Sequence, residues 1–290
     1  MYLDTRPGRE DKLNEDYVAA TVNSTSARAV LLDGAGGPSE LPTGCNHGTP
    51  WYVNQLGDHL MFNMRNPSTP LTTALALALD AVAESHGVWC DLNNPGTPSS
   101  TVIMARRVRD RVEYLVLGDS TFVADVNGEI ITVTDKRIDE VGADLWQAMA
   151  ALPTGTPEHQ AARIAFVENQ RRMRNKRVGG YPIASNDPDA AYESLTGAFS
   201  TREVRRVALL SDGATRFVEF GLGSFADALD ILGSAAPGRL FDRVREAEAS
   251  DPAGARWPRA KRQDDIAAAY LPGHLKVAAA GGIVGAAMTS

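Results

Sequence analysis

The sequence predicts an α+β fold in which groups of antiparallel strands layer against groups of helices. Three observations predict it. Strand-like apolar runs cluster as neighbours, at 17–23 with 28–33 and again from 101 to 133. Helical periodicity occupies separate blocks between those clusters. Single strands do not alternate regularly with single helices, as they would in βαβ units.

The elements follow in order. Residues 17–23 and 28–33 read as two strands joined by the polar turn Asn23-Ser24-Thr25-Ser26. A Gly/Pro-rich loop covers 34–48. Apolar residues then recur at helical spacing over 51–65 and 71–85. The second helix follows Pro70, whose fixed φ suits a first turn. Asn93-Asn94-Pro95-Gly96-Thr97-Pro98 breaks the chain before strand-like segments at 101–108, 112–117, 122–125 and 130–133. Asn127-Gly128 marks a tight hairpin between the last two. Residues 139–177 return to helical character until Gly179-Gly180-Tyr181-Pro182 stops them. A strand at 205–211, helices across 222–248 and a strand at 266–271 complete the pattern. No shift in composition divides the chain, so 1–275 is expected to form one domain. The Ala/Gly-rich 276–290 is expected to be a flexible tail, too short in apolar residues to span a membrane.

Hydrophobic residues make up 43% and charged residues 22% of the 290, ordinary values for a globular protein. A net charge of −7 argues against general affinity for nucleic acid. The N-terminus has no apolar stretch of the signal-peptide kind, and a cytoplasmic location is expected. Cys45 and Cys90 lie in separate segments without CxxC spacing, so two free thiols are expected, with neither a zinc site nor a disulfide. The five histidines are scattered, and none is paired at ligand spacing.

Chemistry concentrates at the ends of strands. Apolar runs stop at Asp33-Gly34, at Gly118-Asp119 and at Ser211-Asp212-Gly213, while Asp264-Asp265 precedes a run beginning at Ile266. Asn14-Glu15-Asp16 leads into a further strand. Carboxylates gathered at one sheet rim repel each other unless a cation sits among them. Oxygen ligands without a His or Cys cluster favour a hard ion such as Mg²⁺ or Mn²⁺. Hydrolysis of a phosphate monoester is the chemistry two such ions perform well, supplying hydroxide at neutral pH and clamping the transferred group.

The series Asn14-Glu15-Asp16, Asp33-Gly34-Ala35-Gly36-Gly37, Ser99-Ser100-Thr101, Gly118-Asp119-Ser120, Ser211-Asp212-Gly213 and Asp264-Asp265-Ile266 resembles the metal-dependent protein phosphatases of type 2C, notably the compact bacterial members. The resemblance implies a four-layer α-β-β-α sandwich of two mainly antiparallel sheets flanked by helices. It implies hydrolysis of phosphoserine and phosphothreonine in proteins by a metal-bound water at a binuclear Mn²⁺/Mg²⁺ site. Carried over by position, Asp33 bridges two ions, and Glu15 and the Gly34 carbonyl serve one of them. Asp16 holds metal-bound waters, Asp212 and Asp264 serve the other ion, and Asp119 joins Asp212 at a weaker third position. A phosphorylated protein is the implied partner of a monomeric enzyme.

The family's phosphate-gripping arginine, four residues before Glu15, is Asp11 in this chain. Lys12 and Arg9 are the expected replacements, with Arg6 nearby; a lysine lacks the bidentate fork of arginine. The residue after Gly118-Asp119-Ser120, often arginine in relatives, is Thr121. These departures keep a second reading open, a weakly active or inactive relative that binds a phosphorylated partner. The basic run 171–177 reads as a solvated helix end or as a steering patch for acidic substrates. His47 is the nearest candidate for a general acid.

Overall fold

The computed structural model describes residues 1–23, 26–273 and 283–285. Eleven strands are named in chain order. They are β1 (Tyr2–Arg6), β2 (Asp16–Val22), β3 (Ser26–Asp33), β4 (Val102–Val108), β5 (Arg111–Leu117), β6 (Thr121–Val126), β7 (Glu129–Val133), β8 (Leu195–Ser200), β9 (Val204–Leu210), β10 (Ile266–Pro272) and β11 (Ile283–Gly285). The α-helices are α1 (Gly48–Asn63), α2 (Leu71–Ser85), α3 (Ala143–Ala150), α4 (Pro157–Met173), α5 (Asp212–Glu219), α6 (Phe225–Leu232) and α7 (Arg239–Ser250).

The strands form two antiparallel sheets. One has the order β1-β10-β9-β6-β7, the other β11-β2-β3-β4-β5-β8. Side chains alternate between the faces of a strand, so a strand buried on both faces reads as unbroken apolar sequence. That is the state of β3, β4, β9 and β10. Val30, Leu32, Val102 and Met104 face α1 and α2, meeting Tyr52, Leu56, Leu75 and Leu79. Their neighbours Leu31, Ile103 and Ala105 face the other sheet, against Phe122, Leu209, Ala267 and Ala269. The far side of that sheet, through Ala208, Leu210, Ile266 and Ala268, packs on Phe217, Leu229, Phe241 and Val244 of α5 to α7. The result is the expected four-layer α-β-β-α sandwich.

β1 and β8, not expected from the sequence, are edge strands, and edges carry polar residues without cost to the core. α5 begins directly at Asp212, a helix start the sequence did not reveal, and the helices expected across 222–248 are α6 and α7. Asn127 and Gly128 both adopt positive φ (54° and 93°), the hairpin geometry their identity called for. Of the expected flexible tail 276–290, only 283–285 lies among the described residues, paired with β2. No described helix is long and apolar enough to cross a membrane.

Candidate metal centre

The two sheets deliver their acidic termini to one end of the sandwich. Asp16 opens β2 directly opposite Asp33, which closes β3. Residues between β3 and β4 and after β5 brace this pair. The Thr101 N–H donates to the Asp33 carbonyl (2.9 Å), its Oγ1 accepts from the Asp33 N–H (3.3 Å), and it meets the Ser120 hydroxyl at 2.7 Å. From the other sheet, the first backbone N–H of α5, that of Asp212, donates to Asp33 Oδ2 (3.1 Å). A helix N-terminus thus points its dipole at a carboxylate, which offsets part of the negative charge.

Asp265 is the second brace. Its oxygens accept the Gly8 and Glu15 N–H groups, each at 2.7 Å, and so tie the N-terminal segment to the start of β10. Asp264 instead faces the cleft. One cavity of about 530 Å³ is lined by Asp33, Gly34, Asp119, Asp212 and Asp264. An adjoining one of about 930 Å³ is lined by Lys12, Glu15 and Asp265, and both share Arg163, Lys261 and Asp264.

The glycines are present for space. A Cβ on Gly34 would lie 2.3 Å from the Glu15 carbonyl oxygen, and one on Gly36 would lie 2.1 Å from Glu15 Oε2. Gly34 does not take a positive φ. Close approach is the constraint. Gly118, at φ 88°, does need that freedom to turn the chain from β5 into Asp119.

Crowding sets the electrostatics. Burial first, then Asp212, Asp16 and Asp264, push the Asp33 carboxyl well above the usual range. Burial and the charges of Asp265 and Asp212 do the same to Asp16. Asp212 and Glu15 are raised, again chiefly by desolvation. Asp119 is pushed up to about 7 by desolvation and by Asp212. Asp264 is the exception: burial alone would raise it, but Lys261 and Arg216 outweigh that and hold it low. Lys261 pairs with its Oδ1, and Arg216 reaches its Oδ2 at 3.1 Å while also pairing with the buried Glu248.

The residues present fit a hard divalent cation. Asp16 is 2% exposed and its Oδ2 has no hydrogen-bond partner, an arrangement a protein retains only for an unusual purpose. Five carboxylates that raise one another's affinity for protons are equally placed to hold a cation, and only oxygen donors converge here. Sequence reasoning did not foresee Lys261 and Arg216 beside Asp264, nor Arg163 between the cavities with its Nε buried and unpartnered. A basic residue on a helix or loop carries no signal for the cleft it will face.

The expected phosphate-binding residues stand at the outer cavity. Lys12 is on its wall. Arg9 also lines it but is engaged by Asp11 in a two-pronged pair, Nε to Oδ1 at 2.8 Å and Nη2 to Oδ2 at 2.5 Å. Arg6 is taken by Asp4 and Asp242. His47 lines neither cavity and lies instead among Cys45, His86 and Cys90.

The profile of protein phosphatase 2C matches residues 6–238. The chain belongs to the protein phosphatase 2C family. Solved structures of this fold agree over nearly the whole length. The serine/threonine phosphatase Stp1 from Staphylococcus aureus is 13% identical, with 93% of each chain covered and a TM-score of 0.53. The Mycobacterium tuberculosis serine/threonine phosphatase PstP/Ppp is 15% identical over 92% of this chain and 95% of its own, with a TM-score of 0.54. RsbX, solved in complex with magnesium, is 8% identical over 92% of each chain, with a TM-score of 0.50. No curated protein matches in sequence. The 2C profile ends before α7, so Asp264 and its neighbour Lys261 lie beyond the matched residues, whereas Arg216 lies within them.

Proposed function

We propose that this 2C-family chain hydrolyses phosphoserine and phosphothreonine in proteins, using two Mn²⁺ or Mg²⁺ ions held by its acidic cluster. The observation that carries the reading is the convergence of Glu15, Asp16, Asp33, Asp119, Asp212 and Asp264 on one rim, with Asp16 Oδ2 buried and unpartnered. Glu15, Asp33 and the Gly34 carbonyl would hold one ion, Asp33, Asp212 and Asp264 the other, with Asp119 and Asp212 at a third, weaker position. When bound, such ions make hydroxide available at neutral pH and neutralise the phosphoryl oxygens.

The protein's own groups do the positioning. Asp16, buried and opposite Asp33 across the β2–β3 pair, would orient water through its free oxygen. Thr101 fixes the Asp33 backbone and the α5 N-terminus its carboxylate, so that little reorganisation is needed during reaction. Phosphate binding falls to Lys12 and Arg9 on the outer wall, joined by Arg163 and Lys261 at the boundary between the cavities. Arg9 must leave Asp11 to take part, whereas the Arg163 Nε is already without a partner.

Release of phosphate from phosphoserine and phosphothreonine peptides in the presence of Mn²⁺, abolished by chelation, is the expected result. A second reading rests on one observation. The Lys261 ammonium occupies the surroundings of Asp264 and raises the hurdle for an ion there. Calorimetry that finds metal-dependent peptide binding without any phosphate release would select this alternative, a pseudophosphatase that captures a phosphorylated partner.

A further inference from the structure

The two cysteines and two of the histidines, expected to be scattered and unrelated, converge. Cys45, His47, His86 and Cys90 place one ligand atom each within 4.8 Å of all the others. Cys45 Sγ lies 3.6 Å from Cys90 Sγ, 3.4 Å from His86 Nδ1 and 3.8 Å from His47 Nδ1, and Cys90 Sγ lies 3.4 Å from His47 Nδ1. Zinc bonds of about 2.3 Å to sulfur and about 2.0–2.1 Å to nitrogen give tetrahedral edges of roughly 3.3–3.8 Å. The four distances, of the six edges such a tetrahedron has, lie in that range. The sulfur separation is far from the ~2.05 Å of a disulfide.

From this geometry we infer that Cys45, His47, His86 and Cys90 form a structural zinc site, separate from the acidic centre. The local sequence explains how it assembles. Cys45 and His47 stand at the entrance to α1, His86 closes α2, and Cys90 follows the single 3-10 turn Gly87–Trp89. Gly44 and Gly48, at φ 69° and 80°, bend the chain on either side of the first pair. The His47 N–H donates to Cys45 Sγ (3.3 Å), a backbone bond compatible with a metal-bound thiolate. Trp51 orients both rings, stacked on His47 at 4.1 Å and edge-on to His86 at 4.8 Å.

Four protein ligands leave no open position, which marks the site as structural and not catalytic. Thiolate and imidazole select zinc over Mn²⁺ and Mg²⁺, which prefer oxygen, so the two centres sort their metals by donor chemistry. The zinc would fasten the long loop after β3 to the end of α2. That loop begins at Gly34 and Gly36, against which Glu15 packs. CxxC spacing failed to reveal the site because its halves are Cys-x-His and His-x-x-x-Cys, separated by 38 residues and brought together by the packing of α1 on α2 and by the Asp91 N–H donating to the Gly44 carbonyl (2.8 Å).

The test is zinc content and cobalt substitution in the full chain purified under reducing conditions without chelator. The expected result is about one zinc per chain, kept by Asp212→Asn and falling to less than about a tenth in Cys90→Ser. Cobalt added to the zinc-depleted protein should give the intense visible bands and thiolate charge-transfer absorption of a tetrahedral sulfur site, and zinc should bleach them. The cobalt spectrum of the unsubstituted protein decides the matter even if Cys90→Ser does not fold. Weak octahedral bands, zinc lost in Asp212→Asn but kept in Cys90→Ser, or a Cys45–Cys90 disulfide persisting under reduction would each overturn the inference.

Discussion

At the scale of single residues, the proposed function depends on carboxylates that the backbone forces together. Glu15 shows how tight the arrangement is, because its carboxylate lies where a side chain on Gly36 would be. Gly36→Ala should displace Glu15 and lower Mn²⁺-dependent activity by about tenfold or more, ~1.4 kcal/mol, while thermal stability changes little. Equal loss of stability and activity would show that the loop, and not Glu15, was disturbed. Lys12→Ala should raise KM for a phosphopeptide more than it lowers kcat, since an exposed lysine acts on phosphate as a point charge. An unchanged KM would move the phosphate grip inward to Arg163 or Lys261. The acidic residues that gather at the cleft were legible from sequence because each ends or begins an apolar run. Their cationic neighbours were not, since nothing in Arg163 or Lys261 distinguishes a cleft residue from a solvated one. Motif position singled out Asp264 from the Asp264-Asp265 pair but gave no role to Asp265; the structure makes the first a cleft carboxylate and the second a backbone brace.

At the scale of elements, α5 is where packing and chemistry meet. Its first residue is Asp212, and its fully buried Phe217 locks it to α6 and α7 through Leu229 and Phe241, with the Arg243 guanidinium 4.8 Å from the ring centre. Phe217→Ala should destabilise the fold by about 3–5 kcal/mol and weaken Mn²⁺ binding together with it, as chemical denaturation and metal titration would show. Unaltered metal affinity in the folded variant would mean that α5 does not position Asp212. Strands of the two sheets were readable because burial on both faces leaves unbroken apolar runs, as in Ala29-Val30-Leu31-Leu32. β1 and β8 were not, because an edge strand has one open side and no such demand. α5 was hidden behind Ser211-Asp212-Gly213, a sequence equally suited to a turn; Ser211 is in fact the residue that precedes the first helical turn.

At the scale of the whole molecule, the fold concentrates negative charge at one end and relies on cations to hold it there. Without metal, Asp16, Asp33, Asp212, Glu15 and Asp119 retain protons to higher pH than in the unfolded chain. Such groups stabilise the fold fully below their unfolded value and cease to do so as pH rises through the folded one. For Asp119 these are 3.8 and about 7. His86 and His159 are kept neutral by burial and oppose this trend in acid, but that opposition fades as pH rises past about 6.5 and the unfolded imidazoles also lose their protons. Metal-free protein should therefore lose stability between about pH 6.5 and pH 8, by up to about 1.4 kcal/mol per pH unit for each proton released, and Mn²⁺ should flatten that slope. A melting temperature that rises across this interval without metal would contradict the sign. The central claim is that the acidic rim is a metal-dependent phosphatase centre, and p-nitrophenyl phosphate hydrolysis tests it most directly. The account predicts turnover with Mn²⁺, none with EDTA, and at least about a 100-fold loss, ~2.7 kcal/mol, in a folded Asp212→Asn variant. Absence of turnover in the folded, Mn²⁺-bound protein, or turnover that survives Asp212→Asn, would contradict it.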